Sequence, residues 1–502
     1  MLSALEARLS PLARRGPLDV DIRAATADSR QVRAGSIFAA IDGSTTDGHR
    51  FIAEALKRGA AAVLLSRWPA AWPDQVVGLQ VQDPRRALAL VSSALCGDPA
   101  ESMRVIAVTG TNGKTSTVAI LRSIFAAAGL RGGSLGTTGI SWQGLNGAQD
   151  HQATHTTPEG PTFYRWLGRM AEDGVEAVAL ELSSHALHQG RTAGLQLDVA
   201  GWSNLSRDHL DYHGDLLSYE RAKALLLTEW LPSWGTEAAT AVLNVDDPVV
   251  AAHGQDWHRT LRVSAQPGAV AAGRADLAPV AEPVLDLDGL RVSLAYRTER
   301  LQLSSPLLGR HNLANCLLAA GCALAAGIKR RSVEQGIAAA VGARGRLEAV
   351  RREDGRGPLI LVDYAHSPAA ISETLQALRS LNPDRLVIVC GCGGERDQGK
   401  RPLMARAAAE GADFVWLTSD NPRGEDPEAI LDAMEQGLKG SSAQYCRVVD
   451  RASAIREAII SSREGEVVLI AGKGHESYQE IDGVQHPFDD REQALRVLEA
   501  SP

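Results

Sequence analysis

Short apolar runs recur along the chain, and most end abruptly in glycine or polar residues. Residues 105–110 (VIAVTG), 175–182 (VEAVALEL), 197–205 (LDVAGWSNL) and 239–245 (ATAVLNV) are of this kind. Each is short enough for a buried strand. Stretches with helical periodicity lie between them, such as 113–130 and 312–327. That alternation predicts a parallel sheet wrapped by helices. Residues 270–305 alternate over shorter distances and predict a few small strands. A third set of runs, 358–364, 385–391, 414–420 and 466–472, repeats the strand–helix pattern and predicts a second doubly wound sheet. The first hundred residues form a smaller α/β pattern: a polar segment at 26–43, a helical stretch at 51–60 and a strand at 61–65. Asp98-Pro99 breaks the chain after it. The resulting expectation is an α/β protein of three domains, 1–100, 101–340 and 341–502.

Composition adds boundaries to this picture. The chain has 502 residues, 44% hydrophobic and 22% charged, which is ordinary for globular domains. A formal net charge of -8 argues against general nucleic-acid binding, although local basic clusters can still hold an anion. The N-terminal stretch carries Glu6, Arg8, Arg14 and Arg15, so it lacks a signal-peptide core. No run reaches membrane-spanning length. A cytoplasmic protein is expected. Its six cysteines, Cys96, Cys316, Cys322, Cys390, Cys392 and Cys446, lack paired metal or disulfide spacing and read as reduced thiols.

The densest chemistry follows the strand at Val105–Val108. Thr109-Gly110-Thr111-Asn112-Gly113-Lys114-Thr115-Ser116 joins that strand to a helix. Glycines let backbone approach an anion, and the helix start offers free N–H groups and a favourable dipole. Lys114 suits terminal phosphates, and the Thr115 hydroxyl suits Mg²⁺. Val108 stands where the usual phosphate loop has its first glycine, and the loop alone names no reaction.

Two further clusters follow strand-like runs. Glu181 opens Glu181-Leu182-Ser183-Ser184-His185, and His209 lies in Ser206-Arg207-Asp208-His209-Leu210-Asp211-Tyr212-His213. A carboxylate at a strand end can hold Mg²⁺. Taken alone, Glu181 is an edge glutamate and Lys223 a surface lysine at the start of a helical pattern. Asp420-Asn421-Pro422-Arg423, after the run FVWLTS, is by itself a polar turn. It also sets a carboxylate, an amide and a guanidinium at one strand end. An Asp and an Arg together can pair with both charges of a zwitterion, whereas a lone ammonium would leave the arginine unpaired.

TGTNGKTS resembles the ATP loop of the Mur ligase family and of its relative folylpolyglutamate synthetase, and the resemblance to Mur ligases spans nearly the whole chain. It implies a first domain for the UDP end of a substrate, a central P-loop ATPase-like parallel sheet, and a Rossmann-like C-terminal domain for an incoming amino acid. It implies Mg²⁺ held by Thr115, Glu181, His209 and a carbamylated Lys223, with Lys114 catalytic beside the last three. Asn312, in Gly309-Arg310-His311-Asn312, and Arg346 resemble further ATP contacts; Asp363 and His366 resemble a nearby motif. Ser29, Thr156, Thr157, Ser183, Gln189 and Arg191 match contacts for UDP-N-acetylmuramoyl-L-alanyl-D-glutamate. Ser44-Thr45-Thr46 and His155 depart from the family there.

Asp420, Asn421, Pro422 and Arg423 resemble the stretch found in diaminopimelate-adding members, with Arg396, Gly472 and Glu476 as accompanying contacts. The resemblance therefore implies a monomeric, ATP- and Mg²⁺-dependent ligase that adds meso-2,6-diaminopimelate through an acyl phosphate, in peptidoglycan precursor synthesis. It implies no nucleic-acid or membrane partner. A lysine-adding ligase, folylpolyglutamate synthetase and a non-catalytic nucleotide-binding scaffold are the alternatives.

Overall fold

The computed structural model describes residues 2–17, 20–43, 46–352, 354, 356–441 and 443–500. The departures noted at Ser44 and Thr45 lie outside them. Backbone contacts divide the chain into two compact units. One comprises Met1–Pro279, Ala295–Leu301 and Ala314–Gly336; the other comprises Val280–Leu294, Gln302–Leu313 and Ile337–Pro502.

The first unit opens with a five-stranded sheet in the order Ala13–Arg15, Val77–Gln80, Ala60–Leu65, Ser36–Ala39, Ala24–Thr26. Side chains alternate across a strand, so the sheet has two apolar faces. Ile37, Ala39, Ala62, Leu64, Val77 and Leu79 pack against Ala87, Leu88 and Val91 of helix Pro84–Leu95. Phe38, Val63 and Leu65 face Ile52 and Ala55 of helix Ile52–Lys57. Asp83 accepts hydrogen bonds from the amides of Arg85 and Arg86, and Pro84 occupies the first turn, which fixes where the longer helix starts. Asp98 then takes a left-handed φ of 49° before the short turn Pro99–Ser102.

Strand Arg104–Thr109 lies at the centre of the next sheet, parallel to Ala177–Glu181 on one side and Leu197–Trp202 on the other. Gly132–Gly136 extends the parallel part, and Gly139–Gly144 and Gly147–His151 add an antiparallel edge. On the opposite side follow Gly235–Asn244, Thr260–Val263 and Leu277–Pro279, all parallel. Gly201 is required by close packing: a Cβ there would lie 2.9 Å from Cys322 Sγ on helix Arg310–Ala325. The short strands expected near 270–305 include Val284–Asp286, Gly289–Tyr296 and Glu299–Ser305.

In the second unit the sheet order is Glu348–Val350, Leu359–Asp363, Val467–Ala471, Leu386–Cys390, Phe414–Leu417, Gln444–Arg447. Only the first of these pairs antiparallel. Leu359, Leu361, Leu386, Ile388, Leu417 and Leu469 face helices Pro368–Arg379, Lys400–Gly411 and Pro427–Glu435. The alternate positions, Ile360, Val362, Val387, Val389, Val468 and Ile470, face helices Arg451–Ile460 and Asp490–Ala500. Both faces being covered explains why these strands read as continuous apolar runs. All six cysteines are free thiols, and no described helix is long and apolar enough to cross a membrane.

Candidate functional site

In the first unit the loop between Thr109 and helix Lys114–Ala127 is held by its own backbone and by the neighbouring strand end. Gly110 has φ 142° and Gly113 φ 84°, and a Cβ on Gly113 would meet Asn315 Oδ1 at 2.3 Å. Only glycine suits such a combination. The amide of Asn112 donates to Asn204 Oδ1 at 2.9 Å, and Ser203 Oγ donates to the Asn112 carbonyl at 2.6 Å. Lys114 Nζ donates to the carbonyls of Gly110 (2.7 Å) and Thr111 (2.9 Å). Its ammonium thus closes over the loop where an anion would sit.

Glu181 ends its strand with almost no exposure. Its carboxylate accepts from Thr115 Oγ1 at 3.0 Å, the Thr137 amide at 2.9 Å and Thr137 Oγ1 at 3.1 Å. Burial pushes its pKa up, against the opposing charge of Lys114 and these donors. Gly136 is needed here, because a Cβ would lie 2.1 Å from Glu181 Oε1. Thr137 escapes a reading of the sequence: nothing local distinguishes a threonine in a loop after a strand.

Lys223 sits in the last turn of helix Leu216–Leu225, before the π-helical turn Leu226–Trp230, and not at the start of a helix. It is also wholly buried, so the surface-lysine reading does not hold. Nζ donates to the Gly110 carbonyl at 2.7 Å and lies 4.6 Å from the Tyr219 ring centroid. Lys114 and Lys223 therefore share one carbonyl oxygen. Burial holds the Lys223 ammonium well below the usual lysine range, and the charge of Lys114 pushes it further down, against a smaller pull from Asp208.

His209 has φ 52°, is exposed, and packs edge-on against His185 with ring centroids 4.9 Å apart. His213 Nε2 lies 3.0 Å from Ser184 Oγ, and burial followed by neighbouring positive charges lowers its pKa to about 4.

Of the residues matched to the muramoyl dipeptide, Thr156, Thr157, Ser183, Gln189 and Arg191 are linked by hydrogen bonds, whereas Ser29 lies apart and donates to Glu54 at 3.0 Å. Thr157 Oγ1 donates to the Glu181 carbonyl at 2.7 Å and accepts from the Ser183 amide at 3.1 Å. Arg191 donates to Gln189 Oε1 (2.8 Å) and to the Thr157 carbonyl (3.0 Å), and Thr156 Oγ1 lies 3.0 Å from Thr137 Oγ1. Ser29 borders a cavity of about 810 Å³ with Arg30, Thr46, Phe51 and Arg85. Glu159 pairs with Arg85 at 2.6 Å and with Arg191 at 3.2 Å.

In the second unit four loops leave the carboxyl ends of parallel strands, the place where such sheets bind ligands. Asp363 accepts from the amides of Leu347 (2.8 Å) and Ala365 (2.9 Å). Asn312, buried in the first turn of its helix, donates from Nδ2 to the Leu308 carbonyl at 3.0 Å. Arg346 lies over the Tyr364 ring at 5.3 Å, and His366 Nδ1 is 2.8 Å from the Tyr364 carbonyl.

Around Asp420-Asn421-Pro422-Arg423 the bonding is dense. Asn421 Nδ2 donates to Glu476 Oε2 at 3.0 Å, while its Oδ1 accepts from Lys473 Nζ at 2.9 Å and from the Glu480 amide at 3.0 Å. Arg423, with φ 54°, donates from Nη1 to the Gly394 carbonyl at 2.7 Å and sits 3.3 Å from Glu480. Gly472, with φ 116°, faces Asp420 so closely that a Cβ would lie 2.9 Å from Oδ2. Arg396 is exposed on its loop.

Two strand ends share a hidden support. Arg451 and Asp490, with no exposed side-chain surface, form a bidentate pair at 2.7 and 2.6 Å. The same guanidinium donates to the carbonyls of Ser419 (3.3 Å) and Ala471 (3.1 Å), each one residue before a predicted contact, Asp420 and Gly472. Sequence alone does not single out Arg451, which reads as an ordinary first residue of a helix.

Family models match three stretches: the Mur ligase family catalytic domain at 21–94, the Mur ligase middle domain at 108–323, and the Mur ligase glutamate ligase domain at 345–474. A Bacillus licheniformis relative, named UDP-N-acetylmuramoyl-L-alanyl-D-glutamate--2,6-diaminopimelate ligase, is 40% identical over 486 residues, covering 96% of both chains. The chain belongs to the Mur ligase family.

A Geobacillus kaustophilus relative of this Mur ligase, with the same name, is 40% identical and covers 94% of each chain. A solved structure of a protein so named aligns with TM-score 0.73 and 34% identity, covering 96% of this chain and 97% of that one. Folylpolyglutamate synthase from Mycobacterium tuberculosis, at 20% identity and TM-score 0.56, covers 78% of this Mur ligase and shares its fold.

Proposed function

We propose that this Mur ligase joins meso-2,6-diaminopimelate to UDP-N-acetylmuramoyl-L-alanyl-D-glutamate, with ATP converted to ADP and phosphate. The observation that carries this reading is the near full-length identity to relatives named for that activity, in a chain that retains Asp420 and Arg423 at one strand end. The lysine-adding alternative lacks such support.

In this reading residues 1–100 hold the UDP end, 101–340 bind ATP and 341–502 bind the amino acid. Thr109 to Ser116, Asn312 and Arg346 contact ATP. Ser29, Thr156, Thr157, Ser183, Gln189 and Arg191 contact the UDP-dipeptide. Arg396, Asp420, Asn421, Pro422, Arg423, Gly472 and Glu476 contact diaminopimelate. The γ-carboxylate of the D-glutamyl residue attacks the γ-phosphorus, ADP leaves, and an acyl phosphate forms. The diaminopimelate amine then attacks the acyl carbon, loses a proton and expels phosphate. Lys114 lowers the cost of bringing two anions together. The site of action in this reading is the cytoplasm.

The donor set fits Mg²⁺. Glu181 is a buried carboxylate whose hydrogen bonds come from two hydroxyls and an amide, so it gains from a cation beside it. When bound, Mg²⁺ supplies charge neutralisation at the phosphates. Thr115, Glu181, His209 and Lys223 would hold it. An ammonium at Lys223 would oppose that role. The environment of Lys223 favours the free amine, which can add to CO₂, release a proton and become an anionic carbamate.

Amino-acid-dependent phosphate release with the UDP-muramoyl dipeptide tests the reading. Release with diaminopimelate and background with lysine is expected; the reverse overturns the amino-acid assignment. Carboxylate ¹⁸O should appear in the phosphate, and its absence removes the acyl phosphate.

A further inference from the structure

Lys473 has no exposed side-chain surface, yet its Nζ is surrounded by residues assigned above to the amino acid. It donates to Asn421 Oδ1 at 2.9 Å, and lies 3.4 Å from Glu476 Oε2 and 3.6 Å from Asp420 Oδ1. The Tyr478 ring centroid is 5.6 Å away. Lysine is rarely buried so completely unless paired. Here one ammonium meets three side chains from two strand-end loops, 52 residues apart in sequence for the Asn421 contact.

We propose that Lys473 is a positioning residue for amino-acid selection, holding Asp420, Asn421 and Glu476 in register and setting the charge of their pocket. The proposal rests on the diaminopimelate reading. Asp420 and Glu476 would repel each other without a cation beside both. With it, Glu476 is also tied to Asn421 Nδ2, whereas Asp420 Oδ1 is buried and lacks a hydrogen-bond partner. That oxygen faces Lys473 across 3.6 Å, so the ammonium is what holds its charge in place. The second consequence concerns discrimination. Lys473 and Arg423 place two cations in this unit's binding loops. A ligand end bearing a carboxylate beside its ammonium gains from them, and one bearing an ammonium alone does not.

The test uses the full-length enzyme and initial rates with each of the three substrates varied. Lys473→Met removes the charge at similar length. KM for diaminopimelate is expected to rise about tenfold or more, with KM for ATP and the UDP-dipeptide within about twofold of wild type. The preference for diaminopimelate over lysine in kcat/KM is expected to fall about tenfold. Lys473→Arg keeps a charge but misplaces it, so its diaminopimelate KM should lie between the two, at about threefold above wild type. An unchanged diaminopimelate KM, a parallel rise in all three constants, or an arginine variant no better than methionine overturns the proposal. Should Lys473→Met not fold, the arginine variant decides alone, and an unchanged diaminopimelate KM overturns the idea. Wild type separates the two readings: if it turns over lysine and not diaminopimelate, the function assignment has failed instead.

Discussion

Lys223 and Lys473 are both buried lysines, one in each compact unit, and their surroundings are opposite. Lys473 lies within 4 Å of two carboxylates. Among the described residues no carboxylate comes within ion-pair distance of Lys223, which meets a carbonyl oxygen that Lys114 also uses. Burial opposes an ammonium in both places, because charge is costly in a poorly polarisable interior. Partners decide the outcome. Where carboxylates surround the amine, ion pairs tie it into the site. Where another cation is the neighbour, the neutral amine is favoured and a nucleophile remains. In the proposed function one residue type thus serves as a counterion in one place and a reactive group in the other.

The largest expected effect breaks the comparison on the Lys223 side. On the proposed carbamate role of Lys223, Lys223→Met should reduce turnover by about 10³-fold, since the phosphate site would lose its anionic support. With ¹³CO₂, wild type and Lys473→Met should show a carbamate resonance that Lys223→Met lacks. A resonance that survives in Lys223→Met would mean another amine carries the modification.

The next effect is on stability and concerns a third buried basic residue. Arg451 resembles Lys473 in being fully paired, and burial there is opposed by Asp490. Asp490→Asn should cost about 3–5 kcal/mol, because a guanidinium would stay buried without its counterion. Urea unfolding measures this. A loss below about 1 kcal/mol would show that Ser419 and Ala471 carbonyls suffice as partners.

These three basic residues also mark how far the sequence could be read. The strand–helix alternation and the glycine-bearing turn after Thr109 were legible because each is a local pattern: apolar runs ending at glycine or at a charge. Asp420 to Arg423 reads locally as a polar turn, and its candidate role comes from the family resemblance. The burial of Lys223 was not, since a helix of mixed polarity hides which face turns inward. Lys473 lies between Gly472 and Glu476 in the chain, but its partners Asn421 and Asp420 come from another loop. Arg451 and Asp490 lie 39 residues apart on separate helices, and only tertiary packing joins them. Thr137 meets Glu181 by the same kind of long-range closure.

Arg423→Ala sharpens the comparison from the side of the ligand. It removes one cation of the pocket and leaves Lys473. Preference for diaminopimelate over lysine should fall about 10²-fold if, as proposed, Arg423 pairs with the distal carboxylate. Competition between the two amino acids at equal concentration reads this directly. An unchanged preference would move selection away from Asp420 to Arg423 altogether.

The smallest effect asks whether the Lys223 neighbourhood disfavours positive charge in general. His213 lies in the same unit, and its pKa is lowered to about 4, first by burial and then by His185, His188 and His209. The folded protein therefore holds His213 neutral where the unfolded chain, with an ordinary value of 6.5, takes up a proton. Stability from this residue is fully present above pH 6.5, declines as pH falls toward about 4, and is then constant. Partial exposure screens the effect, so about 1 kcal/mol is expected across that window. His213→Asn should flatten this part of the stability–pH curve. If the slope persists unchanged, the acid sensitivity belongs to other groups, and the exclusion of charge is confined to Lys223 itself.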